Sequence, residues 1–241
     1  MTGIRTLMVV VCGLALAGCD APEDGEATDE EIGCAGKCDD GNAAPRVLVT
    51  GFYDWGNGAA PTDCNVNPTC MLTEGALLRE LQAQSSALWE TDTLEVRWGI
   101  FADTYGDNAG RYDFVINLGL NEGLSYGSAE IENGAYNLKY GPDVRGTMKH
   151  EACAWQQEYE IIDDVPEAIT RMSQVAGNRY GAVSVGIADA RSDNSFICNE
   201  THADAIIASR TGGFVPFFIH VSPDMASHPQ DIAAVIADLV N

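Results

Sequence analysis

Ala182-Val183-Ser184-Val185-Gly186-Ile187-Ala188, followed across a polar turn by Asp193-Asn194-Ser195-Phe196-Ile197-Cys198-Asn199, is an apolar β-type run giving way to a helix. The helical pattern continues through Ala203, Ile206 and Ile207. A strand ending in turn-forming Asp and Asn presents the next side chains at the carboxyl edge of a sheet, where unpaired amide N–H groups and the helix dipole favour a thiolate. Cys198 is therefore a candidate nucleophile. The competing reading is a buried structural cysteine, because free Cys is among the most buried residue types.

The same alternation runs outward from this unit. Arg46 to Phe52 (RVLVTGF) reads as a central parallel strand, Thr93 to Phe101 as a second, Asp113 to Leu120 (DFVINLGL) as a third and Phe214 to Val221 (FVPFFIHV) as the last. Pro216 inside the last run favours an edge or a bulge. Helices are expected over Met71 to Ala83 with Thr69 as cap, over Pro166 to Ala176, and from Ser227, where Ser227 and Gln230 form a capping-box pattern. Ala102 to Tyr112 carries no helical pattern, and the polar stretch from Asn121 through Gly146 has no strong periodicity. Strands alternating with helices give an α/β fold, a three-layer α/β/α sandwich with a mainly parallel sheet. No phosphate-binding glycine loop of Rossmann or Walker spacing is present, and no cofactor or metal is expected.

The N-terminus has an early Arg5, an apolar run from Leu7 to Ala17 and the ending Leu16-Ala17-Gly18-Cys19. Such a run is too short for a membrane span and fits a secretory signal over residues 1–18. The small residues before Cys19 match a bacterial lipoprotein signal, which makes Cys19 the lipidation site and the protein an extracytoplasmic one tethered to a membrane. Residues 20–45 hold nine acids against the single Lys37, so 19–45 reads as a disordered acidic tether. The remaining 46–241 has the size of one domain. It carries eleven Lys and Arg against 27 Asp and Glu, a net −16, which argues against nucleic acid as a partner.

Export permits disulfides. Cys34 and Cys38 are spaced for a small disulfide loop, with a metal clip the weaker alternative. A bridge between Cys64 and Cys70 would fix a turn near the first helix. A bridge between Cys153 and Cys198 would remove the nucleophile, and the spacing leaves the pairing open.

Reactive groups of an α/β sheet gather at the carboxyl ends of its strands. Glu130 or Glu132, Cys198 and His220 populate three such ends. Cysteine hydrolases need a base to generate the thiolate and an acceptor to orient that base. Each residue also has a plain reading, the glutamates as solvated charges and His220 as a core histidine.

Four ordered blocks over 46–241 resemble the pyroglutamyl peptidase I family of cysteine peptidases. Val47-Leu48-Val49-Thr50-Gly51-Phe52-Tyr53-Asp54-Trp55-Gly56 is similar to V-L-V-T-G-F-x-P-F-G, with Asn67-Pro68-Thr69 where the family has N-P-S. Glu132-Asn133-Gly134-Ala135-Tyr136-Asn137 resembles E-R-x-A-x-N, Ser195 to Asn199 the stretch ending in C-N, and Phe218-Ile219-His220-Val221 the G-F-I-H-[VI] block. The resemblance implies a pyroglutamyl peptidase/phosphorylase-hydrolase-like fold, with Cys198 as nucleophile, His220 as base and then acid, and Glu132 rather than Glu130 as the orienting carboxylate. It implies that Phe52 and Trp55, with Asn67 nearby, hold the pyroglutamyl ring. Tyr140-Gly141-Pro142-Asp143 stands where the family carries an arginine near the oxyanion, which leaves Arg145 as a candidate substitute. Asp193 replaces a small residue beside the nucleophile. The function implied is removal of an N-terminal pyroglutamyl, or related small cyclic acyl, group from a peptide or small-molecule substrate. The alternative is a weak or inactive relative that binds a ligand or partner at the surface.

Overall fold

The computed structural model describes residues 43–55, 60, 62–153, 160–190 and 195–241. The signal, most of the tether, Cys19, Cys34, Cys38 and Asp193 lie outside the described residues. The first strand, β1 (Arg46–Phe52), is followed by α1 (Pro68–Thr73), α2 (Leu77–Gln84), β2 (Leu88–Leu94), α3 (Ile100–Tyr105) and β3 (Phe114–Leu120). Then come β4 (Ser128–Asn133), β5 (Ala135–Tyr136), β6 (Lys139–Pro142), β7 (Met148–Glu151), β8 (Ile161–Ile162), α4 (Pro166–Val175) and β9 (Arg179–Tyr180). The chain closes with β10 (Val183–Asp189), α5 (Ile197–Gly212), β11 (Val215–Val221) and α6 (Pro229–Val240).

Seven strands form the central sheet in the order β2-β1-β3-β11-β4-β10-β9. Four of its pairings are parallel; β11 with β4 and β10 with β9 are antiparallel. The sheet is thus mainly parallel, and both faces are covered. Val47, Val49, Ile116, Phe217 and Ile219 point to one side, where they pack with Leu77, Leu81, Met172, Ile232 and Ile236 of α2, α4 and α6. Leu48, Phe52, Val115 and Phe218 point to the other, against Phe101, Tyr105, Ile197 and Ala205 of α3 and α5. This period-two partition of each strand makes the three-layer α/β/α sandwich.

Several elements depart from the sequence expectation. Glu132 sits on a strand, not in a loop: Ala129 and Ile131 of β4 enter the core while Glu130 and Glu132 face the other way. Ala129-Glu130-Ile131-Glu132 alternates apolar and charged side chains over only four residues, too short a period-two signal to stand out. The connection at 102–112 starts with α3, whose six residues span less than two turns and so show little periodicity. The expected helix from Met71 is two short helices separated around Gly75. Its cap is Asn67, whose Oδ1 accepts from Thr69 N at 3.1 Å, with Pro68 in the first turn. Ser227 belongs to a 3-10 turn, and α6 begins at Pro229 without a side-chain cap.

Pro216 lies in the sheet interior, on β11. The Val215 amide donates to Asp113 O, towards β3, so the next amide position faces away from β3. There β4 is out of reach, since it pairs with β11 only over Ile219–Val221. The missing Pro216 N–H therefore costs no ladder bond.

Candidate active site

The antiparallel pairing of β4 with β11 brings the acid and the histidine together. His220 stands opposite Glu130 and Ile219 opposite Ile131, so Glu132 is the diagonal neighbour of His220 on the same face. Glu132 Oε1 lies 2.8 Å from His220 Nε2, and both residues are buried. The meeting does not come from strand ends gathered on one sheet edge, because β4 and β11 run in opposite directions. A carboxylate only accepts, so Nε2 carries the ring hydrogen and Nδ1 is left as the acceptor. Nδ1 is buried and has no hydrogen-bond partner among the described residues.

Cys198 is the second residue of α5, after the N-cap Phe196. Phe196 supplies no side-chain cap, so the first-turn amides of a 16-residue helix have no side-chain acceptor among the described residues, and the Cys198 amide faces its own sulfur. The sulfur rests over the backbone of Gly119, which pairs in register with His220 on the neighbouring strand. Cys198 and Cys153 are both free thiols, and the disulfide of the domain is Cys64–Cys70. Burial, and after it the charge of Glu132, pushes the Cys198 thiol up to about 12. The helix N-terminus alone would favour a thiolate, but desolvation and a like charge outweigh it here. The resting group is a neutral thiol.

Three further contacts hold these residues. Asn199 is buried and brackets the chain after β4, accepting from Tyr136 N at 2.6 Å and donating to Tyr136 O at 2.7 Å and Leu138 O at 3.0 Å. Asp164 Oδ2 accepts from Gly134 N at 2.6 Å and faces His202 Nε2 at 3.2 Å, fixing the turn that follows Glu132. Gly134 has φ of +88° there, a conformation that excludes most side chains. Phe196 meets the rings of Trp55 and Trp98 edge-on, at centroid distances of 5.5 and 5.7 Å.

Cys198, His220 and Glu132 line one cleft of about 550 Å³, together with Phe196, Glu130 and Asp189 among others. The arrangement provides a sulfur nucleophile, an imidazole with an open acceptor, a carboxylate behind it and open helix amides. That set matches what acyl transfer through a thioester requires. Among the described residues no group of three or more His, Cys, Asp and Glu is placed to hold a metal ion.

The residues expected around the substrate ring are distributed differently. Phe52 is 3% exposed and belongs to the core beneath α3 and α5. Asn67 spends its side chain on the α1 cap and on Tyr53 O, at 3.0 Å. Neither is among the described residues that line the cleft. Trp55 is 54% exposed and reaches the cleft only through Phe196. Arg145 is ruled out as an oxyanion donor: it forms a two-pronged pair with Glu95, with Nε at 2.7 Å from Oε1, and no arginine lines the cleft among the described residues. Gly119 and Phe196 carry no local sequence signal of a site role, since both depend on how α5 packs against β3 and the neighbouring tryptophans. Only the C-N dipeptide carried a signal for Asn199.

No family model matches the chain, and no curated protein matches it. Solved structures do. Pyroglutamyl peptidase I from Bacillus amyloliquefaciens superposes with a TM-score of 0.59 at 17% identity, covering 80% of this chain and 97% of that one. Pyrrolidone carboxyl peptidase from Thermococcus litoralis gives 0.57 at 18% identity, over 81% and 93%. The Thermus thermophilus pyrrolidone carboxyl peptidase gives 0.54 at 17% identity, over 80% and 98%. The chain has the α/β fold of these structures.

Proposed function

We propose that the domain is a cysteine peptidase that removes an N-terminal pyroglutamyl group, or a closely related cyclic acyl group, through a Cys198-His220-Glu132 triad. The observation that carries this reading is the 2.8 Å contact between Glu132 Oε1 and His220 Nε2 in the cleft that also holds the Cys198 thiol. His220 Nδ1 takes the Sγ–H proton as the sulfur attacks the scissile carbonyl carbon. The carbon–nitrogen bond then breaks, the same proton passes to the leaving amine, and a thioester remains on Cys198. Water gives its proton to Nδ1 and attacks the thioester, releasing the acid, and the proton returns to the sulfur. Developing oxyanion charge is met by the open amides of the first α5 turn in place of an arginine. Phe196, backed by Trp55, offers an aromatic face suited to a small neutral lactam.

The fold shared with solved pyroglutamyl peptidases supports this reading, as do the four sequence blocks. The protein is further proposed to act outside the cytoplasm, anchored by lipid on Cys19. Labelled fatty acid incorporated by the full chain and lost in Cys19→Ala tests that part. Release of fluorophore from pyroglutamyl-aminomethylcoumarin by the domain under mild reduction tests the activity, and equal rates for wild type and Cys198→Ser would refute it. A second reading, ligand or partner binding without turnover, is favoured by the raised Cys198 thiol and by the lack of an arginine among the described residues of the cleft. Sluggish alkylation of Cys198 together with no fluorophore release would select it.

A further inference from the structure

Four carboxylates among the described residues line the cleft around Cys198. Glu122, Glu130 and Asp189 line it besides Glu132, and no Lys or Arg does so among the described residues. Glu132 is engaged by His220, but Glu122, Glu130 and Asp189 form no ion pair within the described structure. The acids also sit on a particular side. Glu130 is the cross-strand partner of His220 and shares its face of the sheet. Its side chain leans over Gly186 of β10, with Cγ 3.5 Å from where a Cβ would stand on that glycine. Asp189, the last residue of β10, also lines the cleft, whose aromatic side is Phe196. His220, buried and with Nδ1 lacking a partner among the described residues, faces into the same cleft.

Resting on the peptidase reading, we propose that Glu130, Asp189 and Glu122 select substrates with a cationic residue immediately after the scissile bond, that is, pyroglutamyl-Lys or pyroglutamyl-Arg peptides. The geometry follows from the chemistry of the step. The leaving amine must lie beside His220 to receive its proton, so the residue carrying that amine extends over Glu130, away from Phe196. Carboxylates lining a partly enclosed cleft focus their field on that position and act together. A cation there gains several favourable interactions. An acidic residue meets like charges there, with no basic side chain among the described lining residues to offset them.

The test compares pyroglutamyl-Lys-amide, pyroglutamyl-Gln-amide and pyroglutamyl-Glu-amide, following free pyroglutamate by chromatography. The order of kcat/KM is expected to be Lys, Gln, Glu, with Lys over Glu by roughly a hundredfold at low salt. That ratio should shrink at about 0.5 M salt as screening grows. Glu130→Gln and Asp189→Asn should each reduce it several-fold. Calorimetric binding of the Lys and Glu peptides to Cys198→Ala protein reads the same preference without turnover. Tighter binding of the Lys peptide with no hydrolysis by wild type would sink the peptidase reading and keep the charge selection. Hydrolysis with equal kcat/KM for all three peptides would overturn the charge selection and keep the peptidase. Equal or absent binding in the calorimeter overturns the charge selection as well.

Discussion

Gly119 and Cys198 compete for one volume: a Cβ on Gly119 would lie 2.9 Å from Cys198 Sγ and 2.6 Å from Cζ of Phe218. The glycine is not in the left-handed region, so the constraint is one of space and not of backbone conformation. β3 needs a residue without a side chain where the sulfur rests, directly across from His220.

Gly119→Ala should therefore push the sulfur or the Phe218 ring aside. Overpacking of this kind costs about 1–3 kcal/mol. A fall of several degrees in Tm is expected, with a drop in kcat/KM of tenfold or more on a pyroglutamyl substrate. Unchanged activity in the alanine variant would mean that the Cys198 side chain is free to move without consequence.

Glu132→Gln separates two roles of one carboxylate. A glutamine amide can turn its NH2 donor to the ring where a carboxylate only accepts, so the His220 tautomer is no longer fixed, and kcat/KM should fall on the order of 10²-fold or more. It also removes a negative charge that raises the Cys198 thiol. The thiol should then ionise more readily, moving the midpoint of the alkylation-versus-pH profile to lower pH. Activity and thiol reactivity thus change in opposite directions. A profile unmoved by the substitution would show that Glu132 does not act on the sulfur.

Asp204 on α5 supplies a pH test of stability. Burial, and then the charge of Glu200, raises its carboxyl to about 7, against an opposing pull from Lys139. A group with a raised folded pKa contributes stability that is present below its unfolded pKa, near 4, and is lost as pH rises through the folded value. Between about pH 4 and 7 the protein should lose part of its stability to this residue. Asp204→Asn should flatten that segment of the unfolding-free-energy profile and raise Tm at neutral pH. Parallel profiles for variant and wild type would contradict this.

The architecture was legible because strands such as Arg46–Phe52 and the apolar run of β11 are dense in β-branched and aromatic residues and bounded by turns. The helices α4 and α6 carry clear apolar stripes. The candidate triad was legible for a different reason: Cys198, Glu132 and His220 fall in ordered blocks, and the structure brings Glu132 and His220 into contact in the cleft that Cys198 lines. What the sequence did not disclose depends on pairing. Nothing local in Ser128–Asn133 says that it is a strand running against β11, and only that pairing sets Glu132 diagonal to His220. The family resemblance implies Asn67 as a residue near the substrate ring, yet helix capping claims its side chain. Arg145 looked like a replacement donor by sequence distance alone, and Glu95 holds it elsewhere. The thiol showed the limit of a helix-dipole argument, since burial and a nearby carboxylate act more strongly on it.

The central claim is that Cys198 accepts the pyroglutamyl group covalently. The most direct measurement is rapid-quench mass spectrometry of the domain mixed with an activated pyroglutamyl ester, with the modified peptide sequenced. The account predicts transient addition of one pyroglutamyl group on Cys198, absent in Cys198→Ser and accumulating in His220→Ala if the slower deacylation becomes limiting. Consumption of the ester by wild type with Cys198 unmodified at every time, or with the group on Cys153, would contradict it.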